Sequence, residues 1–374
     1  MKITVIGAGI GGLTTAIALH QKGFEVEVYE SFAEFKPLGS GINLAINAMQ
    51  VYKQLGIYET ILSSANPLSS MNVVDTRFGP LSRMNLQPFE QQYGVTNAAI
   101  HRSTLQKILL DQLPEDCVKL GKRLKHVEQI GEVVKLDFED GTTHQAEIVI
   151  GADGIHSVLR ASILNQKDLR DARQLCWRGI TDFELPAKYQ HELFELWGKG
   201  KRFGFVSIGN GKVYWYALCN DISKEPLNIM FDGFDPIVNA IIHSTPREKV
   251  LENQIADFQP IPHWSKGRVC LLGDAAHATT PNLGQGACQA IESAWVFSVA
   301  MERNRPDFHK AFEQYEQARR PKARKVINTS WQLGKMAHWK NPVAVALRNG
   351  MMRLTPTAVG QMQSAFLFEV PMMD

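Results

Sequence analysis

The sequence predicts an α/β fold built from two packed domains, and three observations support this prediction. Residues 2–30 follow the pattern of a strand, a glycine-rich turn, a helix and a second strand. Residues 170–260 change to short strands rich in aromatic side chains, and the chain from residue 283 onward has helical spacing. The 374 residues, 44% hydrophobic and 21% charged, are enough for two domains with a sizeable core. We therefore predict a Rossmann-like α/β domain, an interleaved β-sheet domain and C-terminal helices.

The first βαβ unit contains a turn of the type that binds dinucleotides. Residues 7–12 read GAGIGG and match the pattern GxGxxG between a strand and a helix. Gly7 permits the tight turn, Gly9 lets a pyrophosphate approach the backbone, and Gly12 lets the helix and strand pack closely. Glu30 ends the second strand, where an acidic side chain accepts hydrogen bonds from an adenosine ribose. This context predicts a dinucleotide site and leaves open whether the ligand is FAD or NAD.

The remaining elements follow from periodicity and turn residues. Helices are predicted at 46–55 and 105–113, and strands between 118 and 150 are broken by Asp140 and Gly141. A hairpin is predicted with its turn at 209–211, between strands at 203–208 and 212–218. A strand at 268–272 precedes three helices, from 283 onward, at about 307–335 and at about 342–353.

Two further motifs follow the ends of predicted strands. Residues 151–160 read GADGIHSVLR, and residues 273–277 read GDAAH, followed by PNLGQG at 281–286. Together with the first turn, they resemble the single-component FAD-dependent aromatic hydroxylases, the family of p-hydroxybenzoate hydroxylase. In these motifs the chain is most similar to the branch of urate hydroxylase and zeaxanthin epoxidase. The resemblance covers nearly the whole chain and implies that the Rossmann-like domain binds FAD.

The resemblance also implies how the chain is divided. Residues 1–170 would form the first part of the FAD-binding domain, with an interleaved segment at about 60–100 on the substrate side. Residues 171–262 would form the substrate-domain β-sheet. Residues 263–374 would complete the FAD-binding domain and add the C-terminal helices.

Several residues are assigned to FAD by the resemblance. Asp274 would hold the ribityl chain, and the turn at 281–286 would present backbone N–H groups to the flavin ring, which favours the anionic reduced flavin. Arg102 would reach the phosphates or the ribityl chain. Asp153 would organise the pyrophosphate region, although an aspartate there can also cap a helix. The residues expected to contact FAD are Gly7, Gly9, Gly12, Glu30, Gly41, Arg102, Leu124, Asp153, Asp274, Pro281, Gly284, Gln285 and Gly286; Gly41 belongs to the run GSGI at 39–42, a loop that can move with the flavin, and Ser31 replaces an arginine often found after the acidic residue.

The reaction implied by the resemblance is a monooxygenation. NADH or NADPH would reduce FAD, O2 would form a C4a-hydroperoxyflavin, and one oxygen atom would pass to a small aromatic or N-heterocyclic substrate. Because such a substrate is activated by losing a proton, we expect Arg202, Tyr214 and Tyr216 in the second domain to serve as its catalytic contacts. The alternatives are an epoxidase of an unsaturated lipid or carotenoid and a flavin-binding protein without turnover.

Strand geometry provides an independent reason to group these three side chains. A three-residue turn at 209–211 would pair residue 206 with 214 and 204 with 216, which places Arg202, Tyr214 and Tyr216 on one face. In the alternative interpretation, the tyrosines only pack a half-buried strand and Arg202 is solvated. Asn282 stands where the urate branch has aspartate, so a carboxylate that could help to deprotonate a heterocycle is missing. Urate itself is therefore in doubt as the substrate.

Composition narrows the partners. The net charge of +2, from 40 basic and 38 acidic residues, provides no strong field for nucleic acid. The five cysteines have no CxxC pair or metal-like spacing, so we expect no metal site, no disulfide framework and a cytoplasmic setting. No apolar run of about 18 residues is present, so no membrane span is expected, and the oligomeric state is left open.

Two segments near the C-terminus have two interpretations each. The basic run at 319–325 is predicted to be a solvated face rather than an anion site. The helix at 342–353 is predicted to pack on the FAD domain rather than on a membrane.

Overall fold

The computed structural model describes residues 1–35, 40–220 and 225–373, and the structural statements below concern these residues. The strands are β1 Lys2–Ile6, β2 Glu25–Tyr29, β3 Gly41–Leu44, β4 Asn66–Pro67, β5 Ser70–Asp75, β6 Pro80–Asn85, β7 Ala98–His101, β8 Val118–Lys119, β9 Leu124–Ile130, β10 Val133–Phe138, β11 Thr143–Ala146, β12 Ile148–Gly151, β13 Arg170–Asp182, β14 Glu192–Trp197, β15 Lys201–Ser207, β16 Lys212–Cys219, β17 Leu251–Asp257, β18 Ser265–Lys266 and β19 Val269–Leu271. The helices are α1 Ile10–Gln21, α2 Ile46–Gln54, α3 Tyr58–Ser63, α4 Gln87–Tyr93, α5 Arg102–Leu110, α6 Val158–Leu164, α7 Leu227–Met230, α8 Pro236–His243, α9 Asp274–His277, α10 Gly286–Arg303, α11 Phe308–Ala337, α12 Pro342–Leu354 and α13 Thr357–Ala365.

The first sheet has six strands in the order β18-β19-β12-β1-β2-β8. Strand β1 pairs in parallel with β2 and β12, β12 pairs in parallel with β19, and only β18 runs antiparallel to its neighbour. The central strands are apolar and almost entirely buried, as expected of a parallel sheet covered on both faces. Helices α1 and α10 pack against each other beside this sheet. The predicted α/β, Rossmann-like fold is confirmed.

The second sheet has seven strands in the order β17-β13-β16-β15-β14-β5-β6, all antiparallel except the pair β14 and β5. Val206 pairs with Tyr214 and Gly204 pairs with Tyr216, so the predicted hairpin register is confirmed. One face is an aromatic core, in which the rings of Phe203 and Trp215 stack with centroids 5.5 Å apart. The opposite face carries polar side chains. The domain boundaries given above stay a prediction.

Helix α11 connects the two sheets. Its N-terminal half places the hydroxyl of Tyr315 near the carbonyl of Leu271 in the first sheet. Its C-terminal end places Ala337 in a cluster with Leu81 and Trp197 of the second sheet.

The basic run on α11 corrects one sequence prediction. Arg319 is fully buried and Lys322 nearly so, because helical spacing puts Arg319 on the inward stripe that also contains Phe312 and Tyr315. The prediction of a solvated face is therefore wrong for these two residues, whereas Arg324 and Lys325 are exposed.

The position of helix α12 corrects a second sequence prediction, which concerned the packing of this helix. Its buried residues Val345 and Arg348 face the second sheet, where the guanidinium lies over the Trp197 ring, and both α12 and α13 pack on strand β6. The predicted packing on the FAD domain is therefore wrong: α12 lies at the edge of the second sheet. Across the described ranges, no helix is both long and apolar enough to cross a membrane.

Candidate functional site: a cleft between the two sheets

The glycines of the turn after β1 have two different surroundings: Gly7 and Gly12 are packed against backbone atoms, and Gly9 faces open space. Gly7 has φ +104°, and a Cβ at Gly7 or Gly12 would collide with backbone oxygens of Ala152 or Gly7. At Gly9, in contrast, a Cβ would meet no atom within 4 Å. Helix α1 begins here with neither a side-chain cap nor an acidic residue in its first turn. Its first N–H groups thus fit a phosphate that approaches over Gly9.

Glu30 fastens the end of β2 to this turn. Its carboxylate accepts hydrogen bonds from the amide of Ala8 (2.7 Å), the amide of Phe32 (2.9 Å) and the hydroxyl of Ser31 (3.0 Å). Ser31, which replaces an arginine common in the family, therefore helps to orient the carboxylate. The predicted contact of Glu30 with a ribose stays a prediction.

The surroundings of Asp153 are compatible with both roles considered from the sequence, capping a helix and organising the pyrophosphate region. One carboxylate oxygen accepts a hydrogen bond from the Leu159 amide (3.2 Å) at the start of α6, which is capped by Ser157. The other oxygen is buried without a partner in the described part of the chain. Burial raises the pKa of Asp153, and the hydrogen bond from Ser157 opposes this rise. The unused acceptor fits a donor from a ligand.

Arg102 and Asp274 come from different elements and face the same cleft. Arg102 begins α5, which the His101 side chain caps, and Asp274 begins α9 after Gly273 with φ +61°. Burial among protein atoms raises the pKa of Asp274, and the charge of Arg102 opposes this rise. Both side chains are nevertheless exposed to solvent. An open recess between the elements that supply these two groups accounts for both observations, and we call it the cleft.

The turn at 281–286 closes one wall of this cleft. Pro281 and Gly284 are exposed, and Gly284 has φ +62°, a left-handed conformation that favours glycine. Gln285 is buried, and its side-chain oxygen accepts from Asn47 (3.2 Å) and Gln289 (3.0 Å). Gly286 is the first residue of α10, so the helix N-terminus lies directly behind the turn.

A buried charge network supports α10 behind the turn. The Glu292 carboxylate, with no exposed surface, accepts from Asn47 (2.9 Å), from Lys322 (2.7 Å) and from Arg319. Arg319 also donates to Gln289 Oε1 (2.8 Å). Burial lowers the pKa of Lys322 to about 8. The network therefore joins α2, α10 and α11 at the first turns of α10.

His277 lies beside this network. Its Nε2 is 2.9 Å from the hydroxyl of Ser293, which also accepts from Arg319. Burial lowers the pKa of His277 to about 3, and the positive charge of Arg319 acts in the same direction. The imidazole is therefore neutral near neutral pH.

Arg202 and Tyr216 belong to a hydrogen-bonded cluster on the polar face of the second sheet, although Arg202 Nε is buried without a partner among the described residues. Arg202, 1% exposed, donates to Glu195 Oε1 (2.8 Å) and to Asn282 Oδ1, and Tyr216 donates to Glu195 Oε2 (2.6 Å). The alternative of a solvated Arg202 is thus wrong. The Asn282 amide donates to Thr280 Oγ1 and to the Ser330 carbonyl, both at 2.8 Å. The cluster links the second sheet to the turn at 281–286.

Tyr214 lies closer to the cleft than the other two predicted contacts. A Cβ at Gly41 would come within 2.5 Å of its ring, so Gly41 gives the tyrosine its space. Burial raises the pKa of Tyr214, while the charges of Arg178 and Arg102 oppose the rise. Tyr214 and the FAD-assigned Arg102 are therefore electrostatic neighbours.

Arg178 is a cleft residue that sequence reasoning missed. It is half-buried on β13, opposite Tyr216 in the register, and it lowers the pKa of both Tyr214 and Arg102. Within the residues that the structure describes, it forms no ion pair with a carboxylate. Strand parity would have placed it on the tyrosine face, but the pairing of β13 with β16 is not visible in the sequence.

One predicted FAD contact lies away from the cleft, and part of one predicted loop is not described. Leu124 begins β9, and its side chain is buried opposite Phe138, so any contact with FAD stays a prediction. In the run GSGI at 39–42, Gly39 lies outside the described residues.

Comparison with known proteins gives consistent matches. The FAD binding domain family matches residues 1–330. The chain is 31% identical to a FAD-dependent urate hydroxylase of Klebsiella pneumoniae, covering 91% of each chain. It is 32% identical to a 2-heptyl-3-hydroxy-4(1H)-quinolone synthase of Pseudomonas aeruginosa, covering 96% of this chain and 95% of the relative. The crystal structure of Klebsiella pneumoniae HpxO with FAD and uric acid superposes with a TM-score of 0.91 at 28% identity, covering 99% of this chain and 97% of that chain.

Proposed function

The chain belongs to the family of FAD-dependent aromatic hydroxylases, and on that premise we propose that it hydroxylates a small N-heterocyclic aromatic compound with O2 and NADH or NADPH. The family is enzymatic and its cofactor is FAD. Two relatives are named for N-heterocycles, urate and a 4(1H)-quinolone. We place the reaction in the cytoplasm, because the five cysteines are buried and unpaired.

The residues of the cleft fit FAD. Gly9 and the N-terminus of α1 would bind the pyrophosphate. Arg102 and Asp274 would bind the ribityl region of FAD, and the turn at 284–286 would contact the flavin ring. When bound, FAD supplies the redox chemistry, taking a hydride from NAD(P)H and passing electrons to O2. The protein residues would hold FAD and the heterocyclic substrate next to each other and limit the access of water.

The observation that supports the proposal is the electrostatic proximity of Arg102 to Asp274, Tyr214 and Arg178. A ring bound there would lie beside the phenol of Tyr214, which makes no hydrogen bond to any group that the structure describes and is able to donate one. The guanidinium of Arg178, which contacts Cys176 but no carboxylate among the described residues, would stabilise an oxyanion that forms when the heterocycle loses a proton.

Arg202 and Tyr216 receive a different role in this proposal. The terminal nitrogens of Arg202 donate to Glu195 and Asn282, and the Tyr216 hydroxyl donates to Glu195, so we assign both residues to positioning the turn at 281–286 rather than to contact with substrate. Asn282 has no polar atom left and carries no charge, so no side chain at this position acts as a base. The substrate would therefore ionise under the field of Arg178.

The test is turnover of the FAD-loaded protein with 18O2 and either NADH or NADPH. The substrate panel comprises 4-quinolones, hydroxypyridines and purines, with polyenes as the epoxidase arm. We expect one N-heterocycle to accelerate NAD(P)H oxidation and to acquire a single 18O atom. The proposal would be refuted if 18O were incorporated into polyenes alone. It would also be refuted if the protein bound FAD but no compound accelerated NAD(P)H oxidation.

Variants at Arg178 test the assigned oxyanion contact. Arg178→Gln should weaken substrate binding by about ten-fold or more and move the pH optimum upward, because the substrate then ionises with less help. Arg178→Lys should restore part of the loss. The control is Lys212→Gln, an exposed cation on the neighbouring strand that pairs with Asp182. Equal effects at both positions would contradict the assignment.

A further inference from the structure

One surface of the protein combines unusually many exposed apolar side chains. Of the twelve large apolar residues that are exposed among the described residues, seven lie between 339 and 362. Four of them are on α12: Val343 (68% exposed), Leu347 (63%), Met351 (56%) and Leu354 (83%). We call these four residues the α12 face. Soluble proteins rarely leave such a contiguous patch in water without a partner.

The α12 face is a single stripe on a firmly held helix. At about 100° per residue, the four positions fall within about 80° of arc. The opposite side of α12 contains the buried Val345 and Arg348, and Arg348 donates to the carbonyl of Ala337 at the end of α11 (2.8 Å). The helix is therefore fixed to the body of the protein, and its apolar stripe points outward without any unfolding.

The charge around this face indicates what covers it. Between residues 317 and 368 the sequence has no aspartate or glutamate, and five lysines and arginines there are exposed: Arg324, Lys325, Lys335, Lys340 and Arg353. Trp339 and Lys340 precede α12, and Arg353 in its last turn is half exposed and pairs with Asp75 (2.7 Å). An apolar stripe bordered by an aromatic ring and cations is the pattern of a helix that lies in the interface of an anionic bilayer.

A second copy of the chain fits this surface less well. In a two-fold dimer the same patch meets itself, so the acid-free segment of one protomer would face that of the other. Like charges would then be brought together without compensating carboxylates from this segment. An anionic lipid surface supplies the complementary charge instead.

We infer that the α12 face docks the protein peripherally on an anionic lipid bilayer, with the four side chains inserted among the headgroups. Strand β6, on which α12 and α13 pack, belongs to the second sheet. Docking therefore holds the second sheet, and with it the polar face that contains Tyr214 and Arg178, near the membrane surface.

The experiment is cosedimentation of the FAD-loaded full chain with extruded vesicles. Vesicles of phosphatidylcholine mixed with phosphatidylglycerol should bind the protein about ten-fold more tightly than phosphatidylcholine alone, and added salt should reduce this difference. The double variant Leu347→Gln with Met351→Gln should bind at least about ten-fold more weakly, since two inserted apolar side chains are lost without any change of charge.

The matched control is Ile130→Gln, which removes an exposed apolar side chain (48%) at the end of β9, far from α12 in the sequence. It should bind vesicles as the unmodified protein does. FAD content and circular dichroism establish that the double variant is folded, which is expected because both side chains are on the surface. Absence of binding to the mixed vesicles would overturn the inference. A dimer in sedimentation velocity that the double variant abolishes would also overturn it, because a second copy would then cover the face.

Discussion

The polar residues of the second sheet differ in whether their hydrogen-bonding capacity is already used. Tyr214 and Tyr216 are two residues apart on one strand face, with ring centroids 6.0 Å apart. Tyr216 is bonded to Glu195, whereas Tyr214 has no hydrogen-bond partner in the described ranges. The hydroxyl of Tyr216 is therefore engaged within the protein, whereas the hydroxyl of Tyr214 is available for the ligand contact proposed above.

Removing each hydroxyl separately tests this difference. Tyr216→Phe should cost about 1–3 kcal/mol of unfolding free energy, because Glu195 loses a donor inside the protein. Tyr214→Phe should cost less than about 0.5 kcal/mol but raise the KM for the heterocyclic substrate. Urea unfolding and steady-state kinetics measure the two quantities. If Tyr214→Phe leaves KM unchanged, the proposed substrate contact is wrong.

A second residue-scale prediction concerns pH. The folded protein keeps His277 neutral down to a pKa of about 3, whereas the ordinary histidine pKa is 6.5. Between these values the unfolded chain binds the extra proton, so stability falls as pH decreases, by up to about 1.4 kcal/mol per pH unit for this group. The variant His277→Gln should show a shallower fall in urea midpoints from pH 6.5 to pH 4. The exposed His126→Gln serves as the control, and an unchanged slope in His277→Gln would contradict the prediction.

At the scale of elements, the turn between β1 and α1 has glycines that serve two different purposes. Gly12 is required by the protein's own packing, and Gly9 leaves space on the open side. The sequence pattern GxGxxG does not distinguish these reasons, because every glycine in it looks alike. The collision or clearance of a Cβ does distinguish them.

Alanine substitutions separate the two purposes. Gly12→Ala should destabilise the apoprotein by about 3 kcal/mol or more, since its Cβ would collide with the Gly7 carbonyl. Gly9→Ala should leave the apoprotein nearly unchanged and lower FAD affinity, because the added methyl group occupies the approach of the pyrophosphate. Thermal unfolding of the apoprotein and FAD titration measure these effects. A Gly9→Ala protein with normal FAD affinity would place the pyrophosphate elsewhere.

On the scale of the whole molecule, the cleft depends on contacts between segments that are far apart in the chain. Asn47, Glu292 and Arg319 meet behind the turn at 281–286, and Glu195, Arg202 and Asn282 join that turn to the second sheet. Helix α11 then connects both sheets. The relative position of the two sheets is thus set by buried polar contacts as well as by apolar packing.

The buried carboxylate at the centre of the first group should be indispensable. Glu292→Gln leaves Arg319 and Lys322 buried without a counter-charge, so we expect a loss of about 3–5 kcal/mol in unfolding free energy and reduced FAD retention. Glu302→Gln is the matched control, because Glu302 is on the same helix and pairs with Lys22 at the surface. It should change stability by less than about 1 kcal/mol. Similar losses in both variants would show that α10, rather than the buried charge, is sensitive.

The sequence by itself determined the local elements and the motifs that depend on them. The βαβ unit, the motifs at 151–160 and 273–286 and the register of the hairpin follow from short-range rules of periodicity, turn length and glycine conformation. These rules placed Arg202, Tyr214 and Tyr216 on one face correctly. The resemblance of these motifs to the FAD-dependent aromatic hydroxylases identified the family, because the motifs are contiguous segments that are readable in the sequence.

Only the tertiary structure decided which polar side chains are paired within the protein and which can still contact a ligand. Arg202 and Arg178 are both arginines on strands, but Arg202 pairs with Glu195 of β14, and Arg178 has no such partner among the described residues. The burial of Arg319 is likewise opposite to the solvated face that the sequence suggested. The physical reason is the same in each case: burial and ion pairing depend on which distant elements pack together, and helix or strand periodicity does not encode that choice.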